Sequence, residues 1–343
     1  MDNIGLTSKF AVNRPLTPQE VEQRLLQKLR LPVEPHYQLS IIKCNSTYLE
    51  SIDKWYGEKG LITAIVTVGM LIFGGFGGAM IWISLSKYLG FTPKVSDNSN
   101  YLLHAVVIAA ILAPIFTGLT WLLRKESFAY THYPIRFNRI SKMVHVFQPT
   151  GTILSVPWNE IFFTIAQADH VYKFMNVFGH VLDKDKLTVK STFALSVSET
   201  SSPEGITLLK SHWEFIRRYM EEGPEAVTSQ IEFCLPVSEQ KESLMFGVRR
   251  LMANSSVASP IMYPIILFSL LFSLLTVPFR YFSIRTSKIP RWPQEIEKEC
   301  TVAVNDPYAI YGDARGERLA VFPEAAASAG VAFVGPPKNP LRP

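Results

Sequence analysis

The sequence predicts an α+β membrane protein, in which an N-terminal transmembrane helical hairpin precedes a β domain closed by a helix, and a third apolar segment follows. Two long stretches without a charged residue, 61–86 and 101–123, predict the hairpin. Between 127 and 225 the chain changes to short runs rich in β-branched and aromatic residues, which are typical of strands. Charged residues form only 18% of the chain, against about 25% in soluble domains. Part of the sequence is therefore expected to face lipid.

Each apolar stretch has the features of a membrane span. The first, from Leu61 to Ser86, exceeds the roughly 20 residues that cross a bilayer. The second has Tyr101 at one end and Trp121 at the other, and such rings favour the two membrane interfaces. The lipid bilayer is thus the first predicted partner. No cleavable signal peptide is visible in the polar segment from Met1 to Lys54, so the first span is expected to act as the targeting signal.

The distribution of Lys and Arg predicts the orientation of the hairpin. The loop 87–100 contains only Lys87 and Lys94, whereas more basic residues flank the outer ends of the two spans. Loops rich in Lys and Arg stay in the cytoplasm, so the N-terminal segment and the β domain are predicted to be cytoplasmic. The flanking basic residues are Lys43, Lys54 and Lys59 before the first span, and Arg124, Lys125, Arg136, Arg139 and Lys142 after the second.

One helix signal lies within the N-terminal segment. Thr17 and Glu20 have the spacing of a capping box, and Pro18 suits the first helical position. A short amphipathic helix is therefore expected, and it could pack on the β domain or lie on the membrane surface. The residues that mark its apolar face are Val21, Leu25 and Leu29.

The region 127–225 is predicted to be a pleckstrin-homology-like β domain, because several strands followed by one helix is the order of that barrel. Turn signals such as Pro149-Thr150-Gly151 separate the strands. Ser202 and Pro203 suit the start of the closing helix, and Gly223 suits its end. The predicted strands are 134–138, 142–147, 153–156, 161–165, 171–182 and 187–195, and the apolar face of the helix is Leu208, Leu209, Trp213, Ile216 and Met220.

The segment 237–284 is predicted to contain an amphipathic helix and a third apolar run, which extends from Ile261 to Phe279 and is interrupted by prolines. Cations flank both of its sides, and a full span would place the more basic side outside the cell. A re-entrant or interfacial segment is favoured, and a complete span is the alternative. The remaining segment, 285–343, is predicted to be a C-terminal tail that partly lacks fixed structure, because it is rich in Ala, Gly and Pro after Pro307.

The string Gly74-Gly75-Phe76-Gly77-Gly78 resembles a phosphate-binding loop only in composition. Such a loop must follow a strand and open a helix, whereas this string lies in the middle of the first predicted span. Gly74 and Gly78 have the G-x-x-x-G spacing that lets two helix backbones approach closely. Packing against the second span through Ala110 or Gly118 is favoured over packing against a second protomer, and the oligomeric state stays open.

The sequence contains no visible apparatus for catalysis, cofactor binding or metal binding, so a non-enzymatic protein is expected. The G-x-S-x-G, H-E-x-x-H and C-x-x-C strings are absent. His104 has no ionisable partner within either span, which argues against a transport pathway. Basic residues gather at the ends of apolar runs and form no polybasic stripe, so nucleic acid is not an expected partner. The three cysteines are too scattered for a disulfide framework or a metal pair: Cys44, Cys234 and Cys300.

Three residues are candidates for partner binding. Arg217 and Arg218 are followed by Glu221 and Glu222, which is the pattern of a solvated, salt-bridged helix face. The alternative is an edge that binds lipid headgroups or a protein. Trp158 could be an exposed anchor for a ligand, although a tryptophan in this position more often closes one end of a small barrel.

Five strings carry a resemblance to a known family: 133–139 (YPIRFNR), 144–147 (VHVF), 156–158 (VPW), 213–225 (WEFIRRYMEEGPE) and 289–293 (IPRWP). Over roughly residues 55 to 310, the chain resembles a family of uncharacterised proteobacterial inner-membrane proteins, the domain-of-unknown-function family DUF6708. The string 213–225 is the most specific of the five. The resemblance implies a multi-pass protein of the bacterial inner membrane.

The resemblance also implies a position near type VI secretion and Rhs effector genes. The expected function is then that of an immunity or effector-accessory protein, which binds a cognate toxin. The alternative is a membrane-tethered sensor or scaffold whose β domain binds lipid or a peptide. Neither function brings catalytic residues or a cofactor with it.

Overall fold

A computed structural model describes residues 10–93, 100–167, 174–231, 234–248 and 263–312, and the side chains of all of these except 263–273. The predicted strand start at Val171, the start of the third apolar run at Ile261 and the tail segment 313–343 lie outside the described residues. The helices are α1 Pro18–Glu22, α2 Leu61–Tyr88, α3 Tyr101–Glu126, α4 Pro203–Glu221, α5 Tyr263–Thr286 and α6 Gln294–Glu299.

The strands form two antiparallel sheets, one of five strands in the order β1-β10-β9-β8-β2 and one of six in the order β11-β3-β4-β5-β6-β7. Together with two apolar helices near the N-terminus, this confirms the mixed α+β class. The strands are β1 Arg14–Pro15, β2 Arg24–Leu25, β3 Ile41–Cys44, β4 Tyr48–Ser51, β5 Ile135–Asn138, β6 Met143–Phe147, β7 Ile153–Pro157, β8 Ile161–Gln167, β9 Met175–Leu182, β10 Thr188–Glu199 and β11 Ile310–Tyr311.

The N-terminal segment forms the predicted helix start and then departs from the prediction. The side chains of Thr17 and Glu20 each accept the other residue's backbone N–H, which is the expected capping box. The helix ends at Glu22, however, so the predicted apolar face through Leu29 is wrong. Leu25 lies in β2, which pairs with β8, because pairing with that sheet satisfies the backbone of the segment better than a longer isolated helix does.

In the order of the chain, the helical hairpin is inserted between two neighbouring strands of the six-stranded sheet. β4 precedes α2 and β5 follows α3, and these two strands pair antiparallel from Tyr48 opposite Asn138 to Ser51 opposite Ile135. The predicted division at residues 60 and 127 therefore falls inside one sheet. The β domain contains the N-terminal strands as well as β5 to β10, and both ends of the hairpin are fixed to neighbouring strands.

The core of the β domain lies between the two sheets and is closed by α4. Ser202 caps this helix by accepting the Gly205 N–H, and the chain leaves it through Gly223 at φ +111°, as the sequence predicts. Trp213 and Ile216 are fully buried, but Leu208 is 39% exposed and does not belong to the apolar face. The core includes Leu49, Phe137 and Val144 from one sheet, Phe163, Val177 and Leu195 from the other, and Leu209, Trp213, Ile216 and Met220 from α4.

The residues before the third apolar segment and the end of α5 lie together beside the start of α2. Phe246, which precedes the segment, and Ile284, near the end of α5, belong to the same buried cluster as Tyr56. The chain then continues as a segment that we call the C-terminal strap, residues 287–311, which packs on the outer face of the six-stranded sheet. The strap contains α6 and β11, and β11 pairs with β3. The segment predicted as a tail is therefore folded as far as Tyr311.

Candidate functional site

Trp158 lies in the short turn between β7 and β8 and is fully buried. Its ring stacks on Trp213 at a centroid distance of 5.5 Å, and its Nε1 donates to a Glu221 carboxylate oxygen at 2.7 Å. The indole therefore has both its apolar surface and its N–H satisfied within the chain. The side chain is packed inside the β domain, which contradicts the interpretation of an exposed anchor.

Arg217 and Arg218 do not form a solvated face, because both bind the same buried carboxylate. Glu214 is fully buried, and it accepts from Arg217 at 2.7 and 2.8 Å and from Arg218 at 2.8 Å. Burial acts to raise the pKa of Glu214, and the hydrogen bonds from the two arginines outweigh it and lower the pKa. Arg217 is only 2% exposed, so its guanidinium is paired with Glu214 inside the domain and is not accessible to a partner.

The close approach of the two long helices involves Gly74 and Gly77. A Cβ atom at Gly77 would lie 2.3 Å from Leu112 Cδ1, and one at Gly74 would lie 3.3 Å from Phe116. A Cβ atom at Gly78 would meet nothing within 4 Å. The helices thus pack through a glycine spacing of three on Leu112 and Phe116, instead of through Gly78 on Ala110 or Gly118.

A set of buried polar groups joins the hairpin to the β domain, and we call it the junction. Its central residue is Glu126, the last residue of α3, which is 1% exposed. The two carboxylate oxygens accept the backbone N–H groups of Gly60 at 2.9 Å and Thr63 at 2.7 Å. These are unpaired donors of the first turn of α2, so a side chain from the end of one helix caps the start of the other.

Lys59 links the same point to the chain beyond α3. Its ammonium group donates to the carbonyl oxygens of Glu126 at 3.1 Å and Tyr130 at 2.7 Å. Burial lowers the pKa of Lys59 to about 8, and the carboxylates of Glu126 and Asp53 oppose this shift. The lysine is therefore a buried positive charge that nearby carboxylates neutralise. Its hydrogen bonds hold the residues before α2 against the end of α3.

Arg280 brings α5 to the junction. Its guanidinium pairs with Glu242 at 2.6 and 2.9 Å, and its Nη1 also donates to the carbonyl oxygen of Tyr56 at 2.8 Å. The helices touch closely here, since a Cβ atom at Gly60 would lie 2.4 Å from the Arg280 Cα. An arginine within an apolar helix is thus used to fasten that helix to the start of α2.

A row of polar side chains crosses the outer face of the six-stranded sheet. Each residue stands directly opposite the next one across the strands, and the row ends at Ser155 of β7. Burial lowers the pKa of His145, which keeps this histidine neutral. The two central residues, Arg136 and Glu50, form an ion pair with 2.6 Å between Nη2 and Oε2, and both side chains are nearly inaccessible to solvent. In strand order the row is Lys43, Glu50, Arg136, His145 and Ser155.

The C-terminal strap covers the middle of this row through Trp292. The indole lies 4.7 Å from the Arg136 guanidinium carbon, and its Nε1 donates to Glu50 at 3.1 Å. Beside it, a cleft of about 480 Å³ opens between the Lys43 end of the row and the strap. The cleft has apolar walls at Pro134 and Pro290 and charged groups at its edge, namely Lys43, Glu239, Arg291 and Glu297.

The cleft is lined by charged side chains together with proline and tryptophan. No group of three or more His, Cys, Asp or Glu side chains that could hold a metal ion occurs among the residues that the structure describes. Cys44, Cys234 and Cys300 are buried and free, and burial raises the pKa of each thiol. Mixed charges beside proline and tryptophan can hold a polar segment of another molecule.

Sequence reasoning did not single out the junction or the polar row. Glu126 offered one signal, because it is the acidic residue that directly follows the charges at the end of the second apolar stretch. Arg280 offered another, because it follows the third apolar run. Arg280 was interpreted as a flanking charge and Glu126 was given no role, and only their positions in space reveal that both are enclosed.

The family model DUF6708, described as a family of unknown function, matches residues 111–304. The chain belongs to this family. The DUF6708 match begins within α3 and includes β5 to β10, α4, α5 and α6, so it contains Glu126, Arg136, Arg280 and Trp292. No curated protein and no solved structure matches the chain.

Proposed function

We propose that this chain is an integral membrane protein that holds its β domain at the cytoplasmic surface of the bilayer and acts by binding. The observation that carries the proposal is the apolar surface of α2 and α3, which are long and apolar enough to cross a membrane. Large side chains on both helices face outward, such as Leu71 at 69%, Phe76 at 72% and Ile111 at 59% exposure. A soluble monomer rarely exposes an apolar patch of more than a few hundred Å².

The two ends of the hairpin support the same proposal. Tyr101 and Trp121 lie near opposite ends of α3, and at 1.5 Å per residue their separation is about 30 Å, the thickness of the hydrocarbon core. Lys125 lies over the Trp121 ring at 5.1 Å, and Lys87 lies over the Tyr101 ring at 5.6 Å. Aromatic rings with adjacent cations favour the two interfaces of a membrane.

The charge at the two ends favours a cytoplasmic β domain. Arg124 and Lys125 end α3 on the β-domain side, and Arg285 and Lys288 end the third segment on that side. Phe246 and Ile284 share one cluster, so both lie on the β-domain side of the hairpin. A re-entrant third segment would place both of them there, and a complete span is the alternative, because the 24 residues of α5 are long enough to cross a bilayer. The β domain would then keep the polar cleft in the cytoplasm, where it binds a polar segment of a partner.

Sedimentation tests the membrane proposal. The untagged full chain is expected to stay in the membrane pellet after an alkaline carbonate wash and to enter the supernatant only with detergent. A chain that stays in solution after ultracentrifugation without detergent would contradict the proposal. A reporter fused after Tyr311 tests the orientation, since an enzyme that is active only in the periplasm should remain inactive there.

The toxin-binding function rests on the resemblance in the sequence, and it stays a prediction. In that case, coexpression of this chain should relieve killing by the product of a neighbouring toxin gene, and Arg291→Glu at the edge of the cleft should weaken the protection. Unchanged killing by that toxin would count against the immunity function. A pleckstrin-homology-like barrel for the β domain likewise stays a prediction, which an experimental structure would test.

A further inference from the structure

The same pair of side chains occurs at the ends of two different helices. Lys125 Nζ lies 5.1 Å from the ring centre of Trp121 on α3, and the Arg285 guanidinium carbon lies 5.1 Å from the ring centre of Tyr281 on α5. In both pairs the ring precedes the cation by four residues, which is about one helical turn or 6 Å along the axis. Each ring therefore lies deeper along the hairpin, and each cation lies nearer the β domain.

The two pairs lie at the same level. Ser283, which stands between Tyr281 and Arg285, donates through its hydroxyl to the Glu126 carbonyl oxygen at 3.3 Å. Glu126 directly follows Lys125 on α3, so the ends of the two helices meet there. Residues two positions from Ser283 point about 200° away from it around the helix. Tyr281 and Arg285 thus face outward, away from the contact.

The positive charge at this level is not neutralised by the protein. Arg124, Lys125, Arg285 and Lys288 form no ion pair with a carboxylate within the described part of the chain. The buried acids beside them are already engaged, since Glu126 caps α2. We call the two pairs, together with Arg124 and Lys288, the collar.

We propose that the collar binds the headgroups of anionic phospholipids in the membrane, an inference that rests on the proposed membrane anchoring. The cations of the collar can donate to the phosphate, and an arginine can do so with two N–H groups. The rings of Trp121 and Tyr281 then lie at the depth of the glycerol groups. A zwitterionic lipid carries its own cation, so the collar should select lipids whose headgroups have a net negative charge.

Lipid selection by the purified full chain tests this inference. The chain is exchanged into micelles that contain equal amounts of phosphatidylglycerol and phosphatidylcholine, and the retained lipids are quantified by mass spectrometry. The wild type should retain phosphatidylglycerol preferentially. Each cation near an anionic surface contributes about a fivefold gain in affinity, so the double variant Lys125→Gln, Arg285→Gln should lose about 25-fold of the preference.

Lys87→Gln is the matched control, because Lys87 also lies over a ring, that of Tyr101, but at the opposite end of the hairpin. It should keep the preference, and the thermal unfolding of all variants in detergent shows whether they fold. Equal retention of both lipids by the wild type, or an unchanged preference in the double variant, would overturn the inference. Loss of the preference in Lys87→Gln alone would also overturn it. None of these results would contradict the proposal that the chain is anchored in the membrane. That proposal fails only if the chain leaves the membrane pellet in the sedimentation experiment.

Discussion

The Glu126 carboxylate accepts the backbone N–H of Gly60 at 2.9 Å and thereby joins the end of α3 to the start of α2. Gly60 stands at the N-cap position in a left-handed conformation with φ +100°, and it has no side chain with which to cap its own helix. The cap has to come from elsewhere, and α3 supplies it. The two strands that flank the hairpin, β4 and β5, are neighbours in one sheet. The cap therefore joins the two helix ends at a point where the paired strands already hold them close together.

Replacing Glu126 by Ala should lower the free energy of unfolding by about 1–3 kcal/mol, because two buried N–H groups lose their acceptor. Glu126→Gln should cost less, since one oxygen remains. Thermal unfolding in detergent micelles measures the change. Glu58→Ala is the control, because Glu58 is an exposed carboxylate two residues before the N-cap Gly60 of the same helix. Equal effects of the Glu126 and Glu58 variants would contradict the capping role.

The glycines of α2 should differ sharply in their tolerance to substitution. Gly77→Leu should destabilise the hairpin, because even a Cβ atom there lies 2.3 Å from Leu112. Gly78→Leu should leave the thermal unfolding temperature unchanged, because the space around Gly78 is open to 4 Å. The two variants have the same composition and hydrophobicity, so each is the control for the other. A larger effect at Gly78 would restore the importance of the Gly74 and Gly78 spacing.

Local signals in the sequence predicted the local structure well. The capping box at Thr17 and Glu20 and the N-cap at Ser202 both form, because each depends on side chains and backbone within one helical turn. The strands from β5 to β10 were also predicted, since alternating apolar residues and turn residues occur within short windows. These features need no information from distant parts of the chain.

Long-range pairing was the part that the sequence could not predict. The partner of β5 is β4, which lies on the far side of the whole hairpin, and no local pattern records such a pairing. Arg217 was assigned to a solvated face because its spacing to acidic residues allows that. In the structure, the distant Leu31 backbone N–H donates to Glu214 at 3.2 Å, and this part of the chain covers the Glu214 and Arg217 pair. The glycine contacts in the hairpin depend on helix rotation, which composition does not determine.

Trp292 should be needed to keep the C-terminal strap on the sheet. Trp292→Ala removes the partly buried ring that covers the Arg136 and Glu50 pair, together with its hydrogen bond to Glu50. The free energy of unfolding should fall by about 1–3 kcal/mol. The variant should unfold at a lower temperature, and trypsin should cleave at Arg291 or Lys298 faster than in the wild type. Val304→Ala is the control, because Val304 is fully exposed at 101%. Equal cleavage rates in Trp292→Ala and wild type would show that the strap is held by β11 instead.

Asp53 should make the stability of the protein depend on pH in an unusual direction. Its carboxyl group accepts the backbone N–H groups of Tyr133 at 2.6 Å and Trp55 at 3.1 Å. Burial nevertheless raises its pKa from 3.8 to about 6, although these bonds and Lys59 act in the opposite direction. Between these two values the folded state holds a proton that the unfolded state has lost. Stability due to Asp53 therefore decreases as the pH rises from 4 to 6, by about 3 kcal/mol in all.

Comparison with Asp53→Asn isolates this effect, which the wild type alone does not. Burial lowers the pKa of His132 and of His212 to about 3, so both stay neutral in the folded state and reduce stability as the pH falls below 6.5. These histidines are present in both proteins and cancel in the difference. The unfolding temperature of Asp53→Asn minus that of the wild type should rise between pH 4 and pH 6 and stay constant above. A difference that does not change with pH would mean that Asp53 is ionised in the folded protein throughout this range.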